Sequence, residues 1–138
     1  MTARGAAIVL TALALLAGCG GAGDPAACNM AGFLAVQHAH ANKAEVTLCG
    51  TVAGVRPVRV TRAGAHRVFT IDVGDDDRIE IDANVDVMGN FPVHRGDPAT
   101  VRGEYYYDGA GREGVHWTHR STGRHAAGFV TINGRTYS

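Results

Sequence analysis

Residues 68–82 read VFTIDVGDDDRIEID, and this stretch decides the class of fold. On both sides of Gly74-Asp75-Asp76-Asp77, polar side chains alternate with apolar ones at Phe69, Ile71, Val73, Ile79 and Ile81. A period of two is typical of strands that bury one face. Glycine and aspartate favour turns, and the further oxygen ligands of a calcium loop do not follow. The stretch therefore predicts a β-hairpin with a solvated turn.

The same period continues on either side of this hairpin. Further alternating apolar or aromatic positions are Val46, Leu48, Val52, Val58, Val60, Val101, Tyr105, Tyr107, Val115, Trp117, Val130 and Ile132. The 19 glycines favour many turns between short strands. We predict a mainly β fold, a small antiparallel barrel of the oligonucleotide/oligosaccharide-binding (OB) type with one N-terminal α-helix. An open antiparallel sheet with a helix on one face is the alternative.

That helix is predicted over about Pro25 to Ala41, ahead of the strands. Asp24 is a good helix cap, and proline is tolerated at the first helical position. Apolar positions then recur at helical spacing, at Met30, Phe33, Leu34 and Ala41. We assign residues 25–138 to a single β-rich domain.

The residues before this domain predict export and anchoring. Arg4 precedes an uncharged apolar run over residues 6–17, and Leu16-Ala17-Gly18-Cys19 follows, which is the order of a secretory signal peptide. The ending resembles the lipobox of bacterial lipoproteins. We expect residues 1–18 to be a lipoprotein signal peptide, Cys19 to be lipidated and residues 19–24 to be a flexible tether. An ordinary cleaved signal or a transmembrane anchor is the alternative.

The lipoprotein resemblance also implies a location. An aspartate directly after the lipidated cysteine retains such proteins in the inner membrane, and here Gly20 follows Cys19. The expected location is the cell envelope, on the outer membrane facing the periplasm if the cell is Gram-negative. Because an exported compartment is oxidising, the two remaining cysteines, Cys28 and Cys49, are expected to form a disulfide. Two separate buried thiols are the alternative.

Charge balance limits the partners. The chain carries 13 basic and 13 acidic side chains, a formal net charge of zero. Binding by phosphate neutralisation needs clustered lysine and arginine, so nucleic acid is not an expected partner. The expected partners are the membrane, through the lipid anchor, and a glycan, nucleotide or protein of the envelope.

No complete catalytic set is evident. The Gly-x-Ser-x-Gly motif is missing, and Ser121 and Ser138 are the only serines. The strand carboxylates Glu80, Asp82 and Glu104 are expected to face water. We therefore expect a binding protein rather than an enzyme, and a metal-binding or metal-dependent hydrolytic protein that uses histidines is the alternative.

The segment His116-Trp117-Thr118-His119, followed by His125, contains the densest chemistry. Neutral imidazole is a ligand for zinc and copper. On a strand, however, His116 and His119 would point to opposite faces, and no carboxylate adjoins them in the sequence. No cofactor is therefore predicted, and zinc or copper held by histidines is the alternative.

Aromatic side chains in the same half could stack on bases or sugars. Tyr106 points away from Tyr105 and Tyr107 if this run is a strand, which leaves Tyr106 for binding, while core packing is the alternative for Trp117. The candidate ligand-binding residues are Arg102, Tyr106, Trp117, Arg120 and Arg124.

The carboxy-terminal part of the chain resembles a family of bacterial exported proteins, the domain of unknown function 3465. The resemblance rests on the motifs Gly103-Glu104-Tyr105, His116-Trp117-Thr118-His119, Gly123-Arg124-His125, Gly128-Phe129 and Asn133-Gly134, with His66, Phe69 and Asn84 before them. It implies one small β-rich domain. Where the family commonly has His-Asp-Pro, this chain has Arg120-Ser121-Thr122. A metal site implied by the resemblance would use His66, His116, His119 and His125.

Overall fold

The structure is a computed structural model that describes residues 26–138. Its elements are α1 (Met30–His38), β1 (Glu45–Val55), β2 (Arg59–Thr61), β3 (Gly64–Gly74), β4 (Asp77–Asn84), α2 (Val85–Met88), β5 (Pro98–Tyr107), β6 (Glu113–His116), β7 (Phe129–Ile132) and β8 (Arg135–Tyr137). The predicted signal peptide, Cys19 and the tether lie outside the described residues. No helix in residues 26–138 is both long enough and apolar enough to cross a bilayer.

Five of the strands close into a barrel. Around it, β1 pairs with β3, β3 with β4, β4 with β6, β6 with β5, and β5 again with β1. This closure confirms the predicted small OB-like barrel in place of the open sheet. One pairing departs from the antiparallel expectation, because β6 runs parallel to β4. The short strand β2 pairs with β3, while β7 and β8 extend the sheet from β5.

The predicted turn of the β3–β4 hairpin is confirmed. Gly74 pairs with Asp77, so the loop consists of Asp75 and Asp76. Both aspartates have positive φ angles, 52° and 60°. Two-residue loops of this kind match the twist of the strands they join.

The core fills the inside of the barrel. Its largest buried side chains include Tyr105, Phe33, Phe69 and Leu48. Helix α1 contributes Phe33, whose ring meets that of Tyr105 edge to face with centroids 6.4 Å apart. The closed barrel, both helices and this core lie within residues 26–138, so we expect a chain that begins after Cys19 to fold.

Helix α1 is shorter than predicted, because it begins at Met30 and ends at His38. Asn29 caps it, with its side-chain oxygen accepting a hydrogen bond from the Gly32 amide at 2.9 Å. Just before the cap, Cys28 is joined to Cys49 of β1 by a disulfide, which fits the predicted pairing. The Asn29 amide also donates to the Thr47 carbonyl. These links to β1 hold residues 28 and 29 outside the helix, so the prediction of a start at Pro25 was wrong.

Glycine allows β5 to approach β6, and β6 to approach β4, more closely than a larger residue would. A Cβ atom at Gly103 of β5 would collide with the His116 carbonyl oxygen, and one at Gly114 of β6 would collide with the Glu80 carbonyl oxygen. Both positions therefore need a residue without a side chain. This close contact brings β5, β6 and β4 together beneath the outward-facing side chains of these strands.

Candidate functional site

A small cleft lies on the outward face of the sheet, where β3, β4 and β6 run side by side. Side chains alternate along a strand, so the positions next to the buried core residues point outward here. The cleft has a volume of about 80 Å³ and is lined by His66, Asp82, Asn84, His116, Trp117 and His119. We call it the Trp117 cleft. It contains three of the four histidines predicted as metal ligands and one of the predicted ligand-binding residues.

Trp117 stands at the end of β6 in an uncommon backbone conformation. Its φ angle is 53°, in the left-handed region, and its side chain is 37% exposed. The indole stacks on the His125 ring, with centroids 4.6 Å apart and planes 19° from parallel. The His116 ring lies 5.3 Å away on a tilt. The indole is thus positioned by two neighbouring imidazoles and still reaches solvent.

Carboxylates from neighbouring strands orient two of the imidazoles. His66 Nδ1 lies 2.6 Å from Asp82 Oδ1, and His116 Nε2 lies 3.2 Å from Glu104 Oε1. No carboxylate adjoins His116 in the sequence, and its partner Glu104 comes from β5, just as the partner of His66 comes from β4. Such partners fix the orientation of an imidazole ring.

His119 forms the inner wall of the cleft and is only 2% exposed. Burial, which disfavours the charged imidazolium, lowers its pKa. Its Nδ1 lies 2.8 Å from the Arg120 carbonyl oxygen, which only a protonated nitrogen can satisfy. The adjacent Thr118 is also buried and donates its hydroxyl hydrogen to the Asp82 carbonyl at 3.1 Å. These bonds fix the segment that carries Trp117.

The four predicted metal-ligating histidines do not form one ligand set. His66 and His116 are paired with carboxylates, whereas His125 stacks on Trp117 and meets His119 edge to face at 4.7 Å. His125 Nδ1 faces the Ala126 carbonyl oxygen at 2.6 Å. Within residues 26–138, no group of three or more His, Cys, Asp or Glu side chains is arranged to hold a metal ion.

Tyr106 lies on the same outward face, one strand away from the cleft. Its ring centroid is 5.3 Å from that of His116, and its hydroxyl donates to Glu80 Oε1 at 3.2 Å. Burial and the neighbouring Glu80 carboxylate raise the pKa of Tyr106, so the phenol stays protonated. It also lines a wider groove of about 620 Å³ together with Arg56 and Arg112.

The three arginines predicted to bind a ligand lie outside the Trp117 cleft. Arg102 lines a separate groove beside α1 and donates from Nε to the Ala127 carbonyl at 3.2 Å. Arg120 and Arg124 are exposed on the segment between β6 and β7, outside the cleft lining. Sequence reasoning also missed the roles of Asp82 and Glu104, which were expected only to face water. Asn84, which was noticed only through the family resemblance, completes the cleft.

Fold and site together define a class, a small OB-like barrel with an aromatic and polar cleft on the outer face of its sheet. The chain belongs to the family described as protein of unknown function DUF3465, whose model matches residues 26–138. This match confirms the resemblance seen in the sequence and covers every described residue. No curated protein and no solved structure matches the chain.

Proposed function

We propose that this protein is a lipid-anchored binding protein of the cell envelope that holds a neutral carbohydrate at the Trp117 cleft without catalysing a reaction. The observation that carries the proposal is the exposed indole of Trp117, fixed by His125 and set beside two imidazole–carboxylate pairs. Binding sites commonly combine an apolar surface with a few oriented polar groups. This cleft has that composition.

The polar groups of the cleft suit hydroxyl-rich ligands. The carboxylate of Asp82 accepts hydrogen bonds, and the Asn84 amide both donates and accepts them. Sugar hydroxyls can meet all of these groups, while the apolar face of a sugar ring packs on an indole. Because the cleft has only about 80 Å³, it holds an edge of one sugar unit, and the rest of the ligand lies over Trp117 and Tyr106.

The charges of the cleft disfavour a nucleotide. None of the described residues that line it is lysine or arginine, and Asp82 lies in its wall with Glu104 behind His116. A phosphate group placed inside this lining would meet the Asp82 carboxylate, and no lining residue supplies a cation. A neutral glycan is therefore favoured over a nucleotide among the ligands expected from the sequence.

Fluorescence offers a direct test, because Trp117 is the only tryptophan in the chain. Residues 20–138 would be titrated with neutral oligosaccharides, beginning with chitotriose, and in parallel with adenosine monophosphate. We expect a saturable change in Trp117 emission with a neutral oligosaccharide and none with the nucleotide. Loss of a hydrogen bond to a charged group costs about tenfold or more in affinity, so Asp82→Asn should weaken binding by that factor.

The matched control is Asp75→Asn, the same substitution at an exposed turn residue remote from the cleft lining. It should leave the titration unchanged. A wild-type protein that gives no response to any neutral oligosaccharide, or an equal response to the nucleotide, would contradict the proposal. A saturable response to Zn²⁺ or Cu²⁺ alone that His116→Ala and His119→Ala remove would replace it with the metal-binding alternative.

The lipid anchor is proposed from the order of charge, apolar run and lipobox in residues 1–19. Several acyl chains on Cys19 would anchor the domain stably, whereas a single chain binds only marginally. The test is fractionation of cells that express the full chain or its Cys19→Ala variant. We expect the wild-type protein in the outer-membrane fraction after a high-salt wash, which screens surface charge contacts, and a variant that stays there in equal amount after the same wash would refute lipidation.

A further inference from the structure

A projecting hairpin lies next to the Trp117 cleft and is not used by the proposed function. Residues 56–63 connect β1 to β3 and include the short strand β2, and we call them the arginine hairpin. All three residues of β2 are exposed. In the register of β2 and β3, Arg59 lies opposite His66, a residue of the cleft. The hairpin therefore begins at the edge of the site.

Positive charge is concentrated in this part of a neutral chain. Between Glu45 and Asp72 the sequence has no acidic residue, while it has arginines at positions 56, 59, 62 and 67. Arg56 forms an ion pair with Glu80 at 3.3 Å, and Arg67 donates to the Asn90 side chain. Arg59 and Arg62 have no carboxylate within 4 Å among residues 26–138, so their charge is available to a partner.

An apolar side chain stands between these two arginines. Val60 is 78% exposed, compared with 40% for Leu34 and 37% for Trp117, the other large apolar side chains exposed in the described part of the chain. A soluble polyanion would be bound by the arginines alone and gives Val60 no role. Apolar side chains flanked by basic ones are typical of segments that lie in the interface of an anionic membrane.

We propose that the arginine hairpin binds the surface of an anionic phospholipid membrane. Val60 enters the boundary between headgroups and acyl chains. Arg59, which strand alternation places on the opposite side of β2, and Arg62 in the turn contact lipid phosphates on either side of it. Since Arg59 is the cross-strand partner of His66, this contact holds the Trp117 cleft next to the membrane surface. The proposal needs neither a lipid on Cys19 nor a sugar in the cleft.

The test is co-sedimentation of residues 20–138, which lack Cys19, with phosphatidylcholine vesicles that contain or lack phosphatidylglycerol. We expect binding only to the anionic vesicles, and weaker binding as salt screens the charges. Each arginine near such a surface contributes about fivefold in affinity, so the double variant Arg59→Gln, Arg62→Gln should bind about 25-fold more weakly. The control is Arg95→Gln, Arg135→Gln, which removes two exposed arginines elsewhere and should bind like the wild type.

Val60→Ser separates a membrane from a soluble polyanion. Removing an inserted valine side chain should weaken vesicle binding about tenfold and leave binding to heparin unchanged. Equal affinity of Val60→Ser and wild type for the vesicles would assign the hairpin to a polyanion and overturn the proposal. So would a wild-type protein that fails to sediment with anionic vesicles. Circular dichroism would verify that each variant is folded, and Trp117 titrations without lipid would report on the cleft separately.

Discussion

The two faces of the β3–β4 hairpin are formed by alternate residues of one stretch of sequence but behave differently. The inward face consists of Phe69, Ile71, Ile79, Ile81 and Ala83, all at most 1% exposed. The outward face of the same strands carries partly exposed His66, Thr70, Glu80, Asp82 and Asn84. The inward face packs the core and needs apolar volume. The outward face lines the cleft, where binding needs particular polar atoms at particular distances.

This difference separates stability from recognition. Burial of apolar area stabilises the fold with little dependence on which apolar residue is used, provided the volume is kept. Partly exposed imidazole–carboxylate contacts such as His66–Asp82 contribute little to stability. Substitutions on the outward face should therefore change binding in a protein that remains folded, which makes the cleft accessible to mutagenesis.

The largest expected effect is on the inward face. Phe69→Ala removes a fully buried ring that meets the Phe91 ring at 6.3 Å, and it should lower the free energy of unfolding by about 3–5 kcal/mol. Val68→Ala, at the preceding position but facing outward, should lower the free energy of unfolding by about 1 kcal/mol or less. Urea denaturation of both variants measures the difference. Similar losses for the two variants would show that the faces are not distinct in energy.

The inward face could be predicted from the sequence because its signal is local. Alternation from Phe69 to Ile81 gave the strands, and the aspartate turn gave the hairpin that joins them. The start of α1 was missed for a physical reason. Cys28 and Asn29 are tied to β1 by a disulfide and a backbone hydrogen bond, and these long-range links override the helix signals at Asp24 and Pro25.

The outward face could be predicted only in part. The density of ring side chains pointed to His116, Trp117 and His119. The expected separation of His116 from His119 on opposite faces was wrong, because β6 ends at His116 and both histidines line the Trp117 cleft. Their partners could not be found in the same way, because Asp82 reaches His66 across two antiparallel strands and Glu104 reaches His116 across the β5–β6 pair. Such contacts depend on register, and the parallel pairing of β4 with β6 has no local signal in the sequence.

His119 shares a property with each face, since it lines the cleft and is also buried. We expect it to have a smaller, pH-dependent effect on stability. Its pKa in the folded protein is below the unfolded value of about 6.5. Below pH 6.5 the unfolded chain therefore binds a proton that the folded chain does not, so stability falls as the pH is lowered through this range. One such group changes the free energy of unfolding by at most about 1.4 kcal/mol per pH unit.

Replacing His119 by glutamine, which cannot be protonated in this range, should flatten that part of the profile. Urea denaturation at a series of pH values from neutral to mildly acidic measures the slope for each variant. His38→Gln, which removes an exposed histidine of α1, should leave the slope as in the wild type. If His119→Gln keeps the full wild-type slope, the acid sensitivity comes from other groups, and His119 is not the point at which the buried and the outward face are coupled.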